Sequence, residues 1–434
     1  MKTNIRSNLG VTNYQGVSRP TISAEKQLKR VVLAAMLWEK TFYVDGTEAA
    51  KIVQDLVAKV PAVKVAQLAI EARHNYKLRH MPLFLCRELA RLGKLNAATL
   101  NEVIQRPDEL GEFLSLYWSE GKCPISNQVK KGLAQAFVKF NEYQLAKYNR
   151  ASASVSIRDV MFLSHAKPKD VNQEALFKRV ANQELETPDT WETELSSGAD
   201  KGSTFSRLMA EKKLGALAFL RNLRNMTQAG VSEDLIRAYA LTLNVDKVLP
   251  FRYLAAARIV PEFEDMLESM MLRSLGTAEK LPGKTVLLVD VSGSMFGTKI
   301  SAKSDLDRFD AAAALAILCS SVCEQVEIYT FSNGIERVAP RKGFALKDAL
   351  DTSQNHGGTH LGGAIRSIKS NSKFDRLIVI SDEESQDSVG SPGVDKAYIL
   401  NVASYKNGVN RSDYLTITGF SEACVDYIRE VEKE

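Results

Sequence analysis

The sequence predicts two architectures in succession, an all-helical part up to about residue 275 and an open α/β sheet from residue 284 onward. In the first part, apolar residues recur at spacings of three and four, which is the period of amphipathic helices. In the second part, continuous apolar runs of strand length alternate with helical segments. The two patterns meet at Leu275–Lys284, a short connection that contains two glycines and a proline.

The first part has the pattern of short amphipathic helices in series. Ser23, Asn96 and Ser232 stand where N-cap residues belong. No strict repeat is visible, but serial short helices over this length predict a degenerate α-solenoid. The segment Glu184–Ser206 is rich in Ser, Thr, Gly and acidic residues, which predicts a loop inserted into the array. The predicted helices include Glu25–Lys40, Thr47–Val57, Ala62–Glu71, Met81–Leu92, Ala97–Ile104, Gln128–Phe140, Ile157–Ser164, Gln173–Val180, Lys212–Met226 and Ser232–Leu243.

The second part begins with Thr285–Asp290, an apolar run typical of a strand that is buried on both faces. The alternation of strands and helices after it predicts an open, mostly parallel sheet with helices on both faces. The further predicted strands are Val326–Ser332, Leu377–Ser381, Lys396–Ala403 and Tyr414–Thr418. The predicted helices are Phe309–Val322, Ala364–Ser370 and Ser421–Glu432.

The composition is that of a globular protein, with 45% hydrophobic and 25% charged residues. No apolar run is long enough for a transmembrane helix, and the N-terminus lacks the apolar segment of a secretory signal. Five scattered cysteines do not make a disulfide framework, and we expect Cys319 and Cys323 to be buried thiols on one helix. These features predict a reducing, cytoplasmic location.

Charge is distributed unevenly between the two parts. Residues 281–434 hold 17 Lys and Arg against 21 Asp and Glu, a net charge of −4. Residues 1–280 hold the other 40 Lys and Arg against 31 Asp and Glu, a net charge of +9. A basic half of this kind favours a polyanionic partner for the helical part, although a solvated basic surface gives the same count.

Five oxygen-bearing residues stand at predicted loops beside the carboxyl ends of the strands. Asp290 ends the first strand, and Asp382 follows the strand Leu377–Ser381. Ligands of open α/β sheets gather at this edge. Asp290, Ser292 and Ser294 are spaced by two, which places them on one side of an extended backbone, and we expect Gly293 to allow a tight turn. Thr359, on a Gly-rich loop before a helix, brings a further hydroxyl.

This D-x-S-x-S, Thr and Asp pattern resembles the metal-ion-dependent adhesion site of the von Willebrand A family. The five metal ligands that the resemblance implies are Asp290, Ser292, Ser294, Thr359 and Asp382. An all-oxygen set indicates a hard divalent cation, Mg²⁺ with Mn²⁺ as the alternative. With only two carboxylates the ion stays electrophilic, so the resemblance implies an anionic ligand from a partner molecule. His356 and His360 flank Thr359, but they lack the further ligands of a zinc site.

Basic residues with interleaved aromatic or histidine side chains form clusters in the helical part. One runs from Lys147 to Lys169 and suits phosphates and stacked bases. A second lies between Arg73 and Met81. Each cluster alone is more typical of a solvated helix face than of a binding site, but their combination in the basic half of the chain favours the binding interpretation. The candidate RNA-binding residues are Lys147, Arg150, Arg158, His165, Lys167, Lys77 and Arg79.

The whole chain resembles the TROVE-domain Ro ribonucleoprotein family, especially its bacterial members. The segments that carry the resemblance are Leu163–Pro168, Leu214–Met226, Val248–Arg252 and Asp290–Met295, in family order. The resemblance implies an α-helical HEAT-like repeat ring over residues 14–278, joined to an α/β Rossmann-like von Willebrand A-type domain over residues 282–434. It implies a monomeric ring, with Lys147, Arg150 and His165 at positions similar to the family's Y RNA contacts.

The resemblance implies a non-catalytic protein that binds Y-like RNA and the 3′ ends of misfolded or structured non-coding RNAs. Such a protein acts in RNA quality control, maturation or decay together with an exoribonuclease, without a membrane or DNA partner. The alternative is a protein-interaction adaptor whose metal site grips an acidic residue of its partner. A third interpretation, an RNA-processing enzyme, is disfavoured because two carboxylates are a thin basis for two-metal phosphoryl chemistry, and no other catalytic motif is present.

Overall fold

The computed structural model describes residues 23–34, 46–149, 153–246, 248–276, 279–300, 306–403, 413–418 and 423–432. Residues 47–197, with 22–33, belong to one compact unit, and residues 198–434 belong to the other. The second unit therefore combines the described helices between residues 201 and 275 with the sheet that follows them. Among the described residues, no helix has the length and apolar character needed to cross a membrane.

The first unit is built from short helices that pack in neighbouring pairs. The helix Ala97–Val103 packs against Asn127–Phe137, and Ala62–His74 packs against His80–Arg91, through buried leucine, valine and alanine side chains. The first unit contains α1 (Ala24–Ala34), α2 (Gly46–Val57), α3 (Ala62–His74), α4 (His80–Arg91), α5 (Ala97–Val103), α6 (Pro107–Tyr117), α7 (Asn127–Phe137), α8 (Glu142–Tyr148), α9 (Ile157–Ser164), α10 (Val171–Asn182) and α11 (Trp191–Ser196).

The second unit begins with helices and continues into the sheet. Its helices before the sheet are α12 (Lys201–Ala210), α13 (Ala216–Gln228), α14 (Glu233–Thr242), α15 (Pro250–Ile259) and α16 (Glu264–Leu275). All three predicted N-cap positions are confirmed. Asn96 accepts from the Ala98 N–H at 2.9 Å, and Ser23 accepts from the Lys26 N–H at 3.3 Å. Ser232 is the N-cap residue of α14, but its side chain makes no capping hydrogen bond.

The prediction of a loop over Glu184–Ser206 was wrong, because α11 and the start of α12 lie within it. Thr190 caps α11 by accepting from the Thr193 N–H, and Asp200 caps α12 by accepting from the Ser203 N–H. Ser, Thr and Asp favour both loops and N-caps. Their density here reflects two helix starts in close succession.

In the described part of the chain, the sheet has six strands, which are β1 (Leu281–Asp290), β2 (Cys323–Phe331), β3 (Ile335–Val338), β4 (Arg376–Ser381), β5 (Lys396–Asn401) and β6 (Leu415–Thr418). Their order in the sheet is β3-β2-β1-β4-β5-β6, and all neighbours are parallel except β2 and β3. This confirms the predicted open, mostly parallel sheet. The helices are α17 (Arg308–Val322), α18 (Gly343–Asp351), α19 (Leu361–Asn371) and α20 (Ala423–Glu432).

The sequence prediction missed β3 and α18. β3 is a four-residue edge strand whose two central residues, Glu336 and Arg337, are exposed, so it lacks the apolar run that identifies the central strands. β1 and β4 lie at the centre, where Leu288 and Val379 are fully buried and paired with each other. The strand order reverses between these two strands, which is where open α/β sheets form their ligand crevice.

Candidate metal centre and nucleic-acid interface

Asp290 ends β1 as a fully buried carboxylate. One of its oxygens, Oδ1, accepts from the Ser292 N–H at 2.8 Å. The other, Oδ2, accepts from the Ser381 hydroxyl at 2.6 Å. Ser381 ends β4, so this hydrogen bond joins the two strands at the reversal of strand order. The carboxylate is therefore held in one orientation by groups from both sides of the crevice.

Ser292 and Ser294 follow Asp290 in a short 3₁₀ turn that begins at Gly293. Their hydroxyl oxygens lie 3.3 Å apart, which agrees with the expected convergence on one side of the loop. The expected tight turn does begin at Gly293, but Gly293 does not adopt a positive φ in it. A Cβ there would lie 3.3 Å from the His356 carbonyl oxygen, so Gly293 instead allows the close approach of a second loop.

Hydrogen bonds tie the Thr359 loop to both neighbouring loops. The Gly293 N–H donates to the Gly357 carbonyl at 3.0 Å. On the other side, the Gln386 N–H donates to the Thr359 carbonyl at 2.8 Å. Thr359 itself is buried. The three loops that carry the five predicted ligand positions are thus joined into one structure at the carboxyl edge of the sheet.

Asp382 is fully buried and its two oxygens have different partners. Oδ1 accepts from the Glu384 N–H at 3.2 Å, and Oδ2 accepts from the Arg308 guanidinium at 3.1 Å. Burial, together with the negative charge of Asp382, raises the pKa of Asp290 to about 7. The hydrogen bonds from Ser292 and Ser381 act in the opposite direction. Ionised Asp290 is therefore costly here until a cation compensates it.

The donor set fits a hard divalent cation. Two buried carboxylates and three hydroxyls from three connected loops offer oxygen alone, which suits Mg²⁺ or Mn²⁺. Within the described parts of the chain, no cluster of three or more His, Cys, Asp and Glu side chains is arranged to hold a metal. The five-residue site contains only two such side chains, because its other three oxygens come from Ser and Thr hydroxyls.

His356 is committed to other contacts, which argues against the zinc alternative. Its Nδ1 lies 3.0 Å from the Val291 carbonyl oxygen, and its Nε2 lies 3.3 Å from an Asp351 carboxylate oxygen. Its ring centroid lies 4.0 Å from that of Phe296. These contacts make His356 a brace between the Thr359 loop and the Asp290 loop.

Sequence reasoning missed Ser381 and Arg308 at this site. Ser381 is the last residue of the predicted strand Leu377–Ser381, and its hydroxyl donates to the Asp290 carboxylate. Arg308 begins α17 more than seventy positions before the carboxylate it contacts. No local pattern signals such a distant pair, so only the fold reveals it.

Exposed cations lie beside exposed aromatic rings on α8 and α9. The Lys147 Nζ lies 5.8 Å from the centroid of the Tyr143 ring, and the Arg158 guanidinium carbon lies 5.7 Å from that of the Phe162 ring. Phe162 is 54% exposed, although it is a large apolar side chain. Cation and ring pairs of this kind can meet both a phosphate and an unpaired base.

The remaining predicted RNA contacts of this cluster follow α9. His165 ends the helix in a left-handed conformation with φ 54°, and Lys167 lies two residues further on. Both are exposed. Arg150, the other predicted contact, lies outside the described residues. The Lys147, Arg158, His165 and Lys167 side chains, with Tyr143 and Phe162, are called the α8–α9 surface below.

The second predicted cluster is organised differently. Arg79 forms ion pairs with Asp108, at 2.6 Å, and with Glu112, both on α6. Lys77 is exposed, and its ammonium donates to the His74 carbonyl. The Arg79 guanidinium already has carboxylate partners in the protein, which makes it a structural cation rather than a strong candidate for a phosphate contact.

Comparison with known proteins gives a family match in the middle of the chain. Residues 178–285 match the TROVE domain family. A stretch of 110 residues is 32% identical to telomerase protein component 1 of Mus musculus and 30% identical to that of Rattus norvegicus. This stretch is 24% of the present chain but only 4% of the length of those curated relatives.

A solved structure matches nearly the whole chain. The Ro (RSR) protein of Deinococcus radiodurans superposes with a TM-score of 0.67 over 94% of this chain and 98% of that one, at 19% sequence identity. At this identity the likeness shows the fold. The chain is thus related to TROVE-domain proteins through residues 178–285, and it has the fold of a Ro protein.

Proposed function

We propose that this chain, which carries a TROVE domain segment and has the fold of a Ro protein, is an RNA-binding component of a ribonucleoprotein. The observation that carries the proposal is the α8–α9 surface, where exposed cations lie beside exposed aromatic rings. The charge of +9 over residues 1–280 supports a polyanionic partner for this half.

The finer proposal concerns the kind of RNA. The α8–α9 surface binds a structured, Y-like RNA, and a separate part of the helical array receives the 3′ ends of misfolded or structured non-coding RNAs. The protein holds these RNAs without cleaving them and acts with an exoribonuclease in quality control, maturation or decay. Resemblance to the Ro family supports these roles. It also supports the proposal that the protein is a ring-shaped monomer.

The chemistry of the surface favours RNA with unpaired segments. Cations supply a sequence-independent attraction to phosphates. Aromatic rings add stacking, which contributes about 1–3 kcal/mol per base in single-stranded complexes. Phe162 combines the two contributions. Its ring is half-exposed and accessible for stacking, and it lies beside the Arg158 guanidinium, which can contact a phosphate.

A double variant tests the separation of the two RNA sites. Lys147→Ala with His165→Ser is expected to weaken binding of a Y-like stem–loop RNA by about tenfold, and to leave binding of a bare single-stranded 3′ tail nearly unchanged. Fluorescence anisotropy with both labelled RNAs measures this. Equal losses for the two probes would contradict separate sites.

The matched control removes exposed lysines elsewhere on the chain. Lys59 follows α2 and Lys373 precedes β4, and both are exposed. The double variant Lys59→Ala with Lys373→Ala removes two exposed lysines that belong to neither α8 nor α9. It is expected to bind both RNAs as the wild type does.

A second proposed activity belongs to the sheet. Asp290, Ser292, Ser294, Thr359 and Asp382 would hold Mg²⁺ or Mn²⁺, and the part of the chain from residue 282 would act as a von Willebrand A-type domain. When bound, the ion supplies an electrophilic centre for an anionic oxygen of a partner. The buried, mutually repelling carboxylates Asp290 and Asp382 favour this proposal, because a cation relieves their repulsion.

This second activity is the basis of the adaptor alternative, in which the metal site grips an acidic residue of a protein partner. Asp290→Ala separates the two functions. It is expected to abolish metal-dependent capture of a protein partner and to leave RNA affinity unchanged. Loss of RNA binding in this variant, with the fold intact, would place RNA at the metal site. Specific RNA cleavage that disappears in Asp382→Ala would instead revive the enzyme interpretation.

A further inference from the structure

Arg308 places a permanent positive charge inside the candidate metal centre. It is the first residue of α17, and its side chain is only 5% exposed. Its Nη1 donates to Asp382 Oδ2 at 3.1 Å and to the Ser294 carbonyl oxygen at 3.2 Å. A guanidinium does not deprotonate in proteins. The Arg308 side chain thus contacts two of the five residues proposed to hold the metal. It contacts Ser294 at the backbone carbonyl and Asp382 at the carboxylate.

The backbone that carries Arg308 is fixed from two sides. Asp307 and Asp310 form a capping box, in which the Asp310 N–H donates to Asp307 Oδ1 at 2.9 Å. Asp310 also forms an ion pair with Arg258 of α15, within the same compact unit. The first turn of α17 therefore has little freedom to withdraw and carry Arg308 away from Asp382.

A divalent ion at this centre and Arg308 would both seek the negative charge of Asp382. The two cations repel each other in a buried setting, where charges are screened less than in water. The same contact stabilises the protein when no metal is bound, because it pairs a buried carboxylate that would otherwise be costly. Arg308 should thus oppose metal binding and support the metal-free fold.

We propose that Arg308 is an internal counter-cation that competes with the divalent ion for Asp382 and so sets the metal affinity of the centre. This inference rests on the proposed metal site. It gives the site a weak and readily reversible hold on its ion, since each binding event must overcome or displace the guanidinium.

The test measures Mn²⁺ binding to the full-length protein by electron paramagnetic resonance or isothermal titration calorimetry. Arg308→Met removes the charge and keeps a long side chain, and it is expected to bind Mn²⁺ about tenfold more tightly or better. Arg308→Lys keeps a positive charge and should stay close to the wild type. Arg337→Met, which removes an exposed arginine on β3, should leave Mn²⁺ affinity unchanged.

Thermal unfolding provides a second readout. Arg308→Met is expected to increase Mn²⁺ affinity but to decrease the stability of the metal-free protein. In EDTA, Arg308→Met is expected to melt below the wild type, because Asp382 loses its partner. In saturating Mn²⁺ the difference should shrink or reverse. A side chain with a purely structural role would lower the melting temperature equally in both conditions.

Two outcomes would overturn the inference, and they are distinguishable. If Arg308→Met is folded and binds Mn²⁺ as well as or more weakly than the wild type, Arg308 orients Asp382 for the ion rather than competing with it, and the metal site stands. If neither protein binds Mn²⁺ at millimolar concentration, the proposed metal site fails and the competition fails with it. Mn²⁺ binding by Arg308→Met alone would support competition in its strongest form.

Discussion

The proposed metal centre at the sheet and the α8–α9 surface differ in how their charges are held. At the sheet, Asp290 and Asp382 are fully buried, and each oxygen has a hydrogen-bond donor. On α8 and α9, the cations Lys147 and Arg158 are exposed, and each lies beside an aromatic ring. The first region is a fixed arrangement of few groups, whereas the second is a set of accessible charges.

This difference predicts two kinds of response to mutation. A buried charge whose partner is removed changes stability by several kcal/mol, because no solvent compensates it. An exposed cation contributes little to folding, and its contribution to RNA binding is modest, additive and sensitive to salt. Substitutions at the sheet should therefore act mainly on stability and metal affinity, and substitutions on the α8–α9 surface should act on RNA affinity alone.

The largest expected effect is a stabilisation by Asp290→Asn in metal-free protein at neutral to alkaline pH. Asp290 has a folded pKa of about 7 against an ordinary value of 3.8, so the folded state binds the proton more tightly than the unfolded state does. Stability therefore falls as the pH rises from about 4 through about 7, by at most about 4 kcal/mol. The Asn variant lacks this loss.

Thermal denaturation in EDTA between about pH 5 and pH 8 measures the effect as a difference in melting temperature. The melting temperature of the variant should rise relative to that of the wild type as the pH rises. Mg²⁺ should restore part of the stability of the wild type only. A constant difference across this range would show that Asp290 is compensated in some other way.

A smaller effect is expected for Asp382→Ala, which leaves the Arg308 guanidinium without its carboxylate partner. Loss of a buried partner costs about 3 kcal/mol, and relief of the repulsion with Asp290 offsets part of that. We expect a net destabilisation of about 2 kcal/mol in EDTA, measured by chemical denaturation. The double variant Asp382→Ala with Arg308→Met should be less destabilised than the single one. If it is not, the two side chains are not energetically coupled.

A third prediction concerns the α8–α9 surface as a set. Combining Lys147→Ala, Arg158→Ala and Lys167→Ala should reduce affinity for a structured RNA by about ten- to a hundredfold at low salt. The melting temperature should stay within the error of the measurement, because all three side chains are exposed. A large drop in melting temperature would mean that these cations are structural, and the contrast between the two regions would fail.

The smallest expected effects separate two neighbouring cations of the second basic cluster. Arg79→Gln breaks ion pairs with Asp108 and Glu112 and should destabilise the first unit by about 1 kcal/mol, without loss of RNA affinity. Lys77→Ala should weaken RNA binding by about twofold or less and should leave stability unchanged, because Lys77 is exposed. Loss of RNA binding in Arg79→Gln would return this residue to the RNA interface.

The sequence was sufficient to predict features that depend on local patterns. Apolar runs that end in Asp290 and Asp382 predicted both the central strands and the edge where the carboxylates lie. The partners of those carboxylates were not predictable, because Arg308 reaches Asp382 only through the packing of α17.

The same limit applies to the helical part. The basic sequence around Arg79 gives no sign of its ion pairs, because the acidic residues that pair with it lie about thirty positions further along the chain. Composition alone also misread Glu184–Ser206, since residues that favour loops are the same residues that cap helices. In both cases, the structural role of the residues depends on their neighbours in space, which the local sequence does not give.

Salt dependence of RNA affinity tests the central claim most directly. Binding of the full-length protein to a small structured RNA with a single-stranded 3′ tail is measured between about 50 and 200 mM salt. We expect log K to fall linearly with log salt concentration, and the triple variant at Lys147, Arg158 and Lys167 to have a slope shallower by about two. An affinity that hardly changes with salt, or a triple variant that keeps the wild-type slope, would contradict RNA binding through the α8–α9 surface.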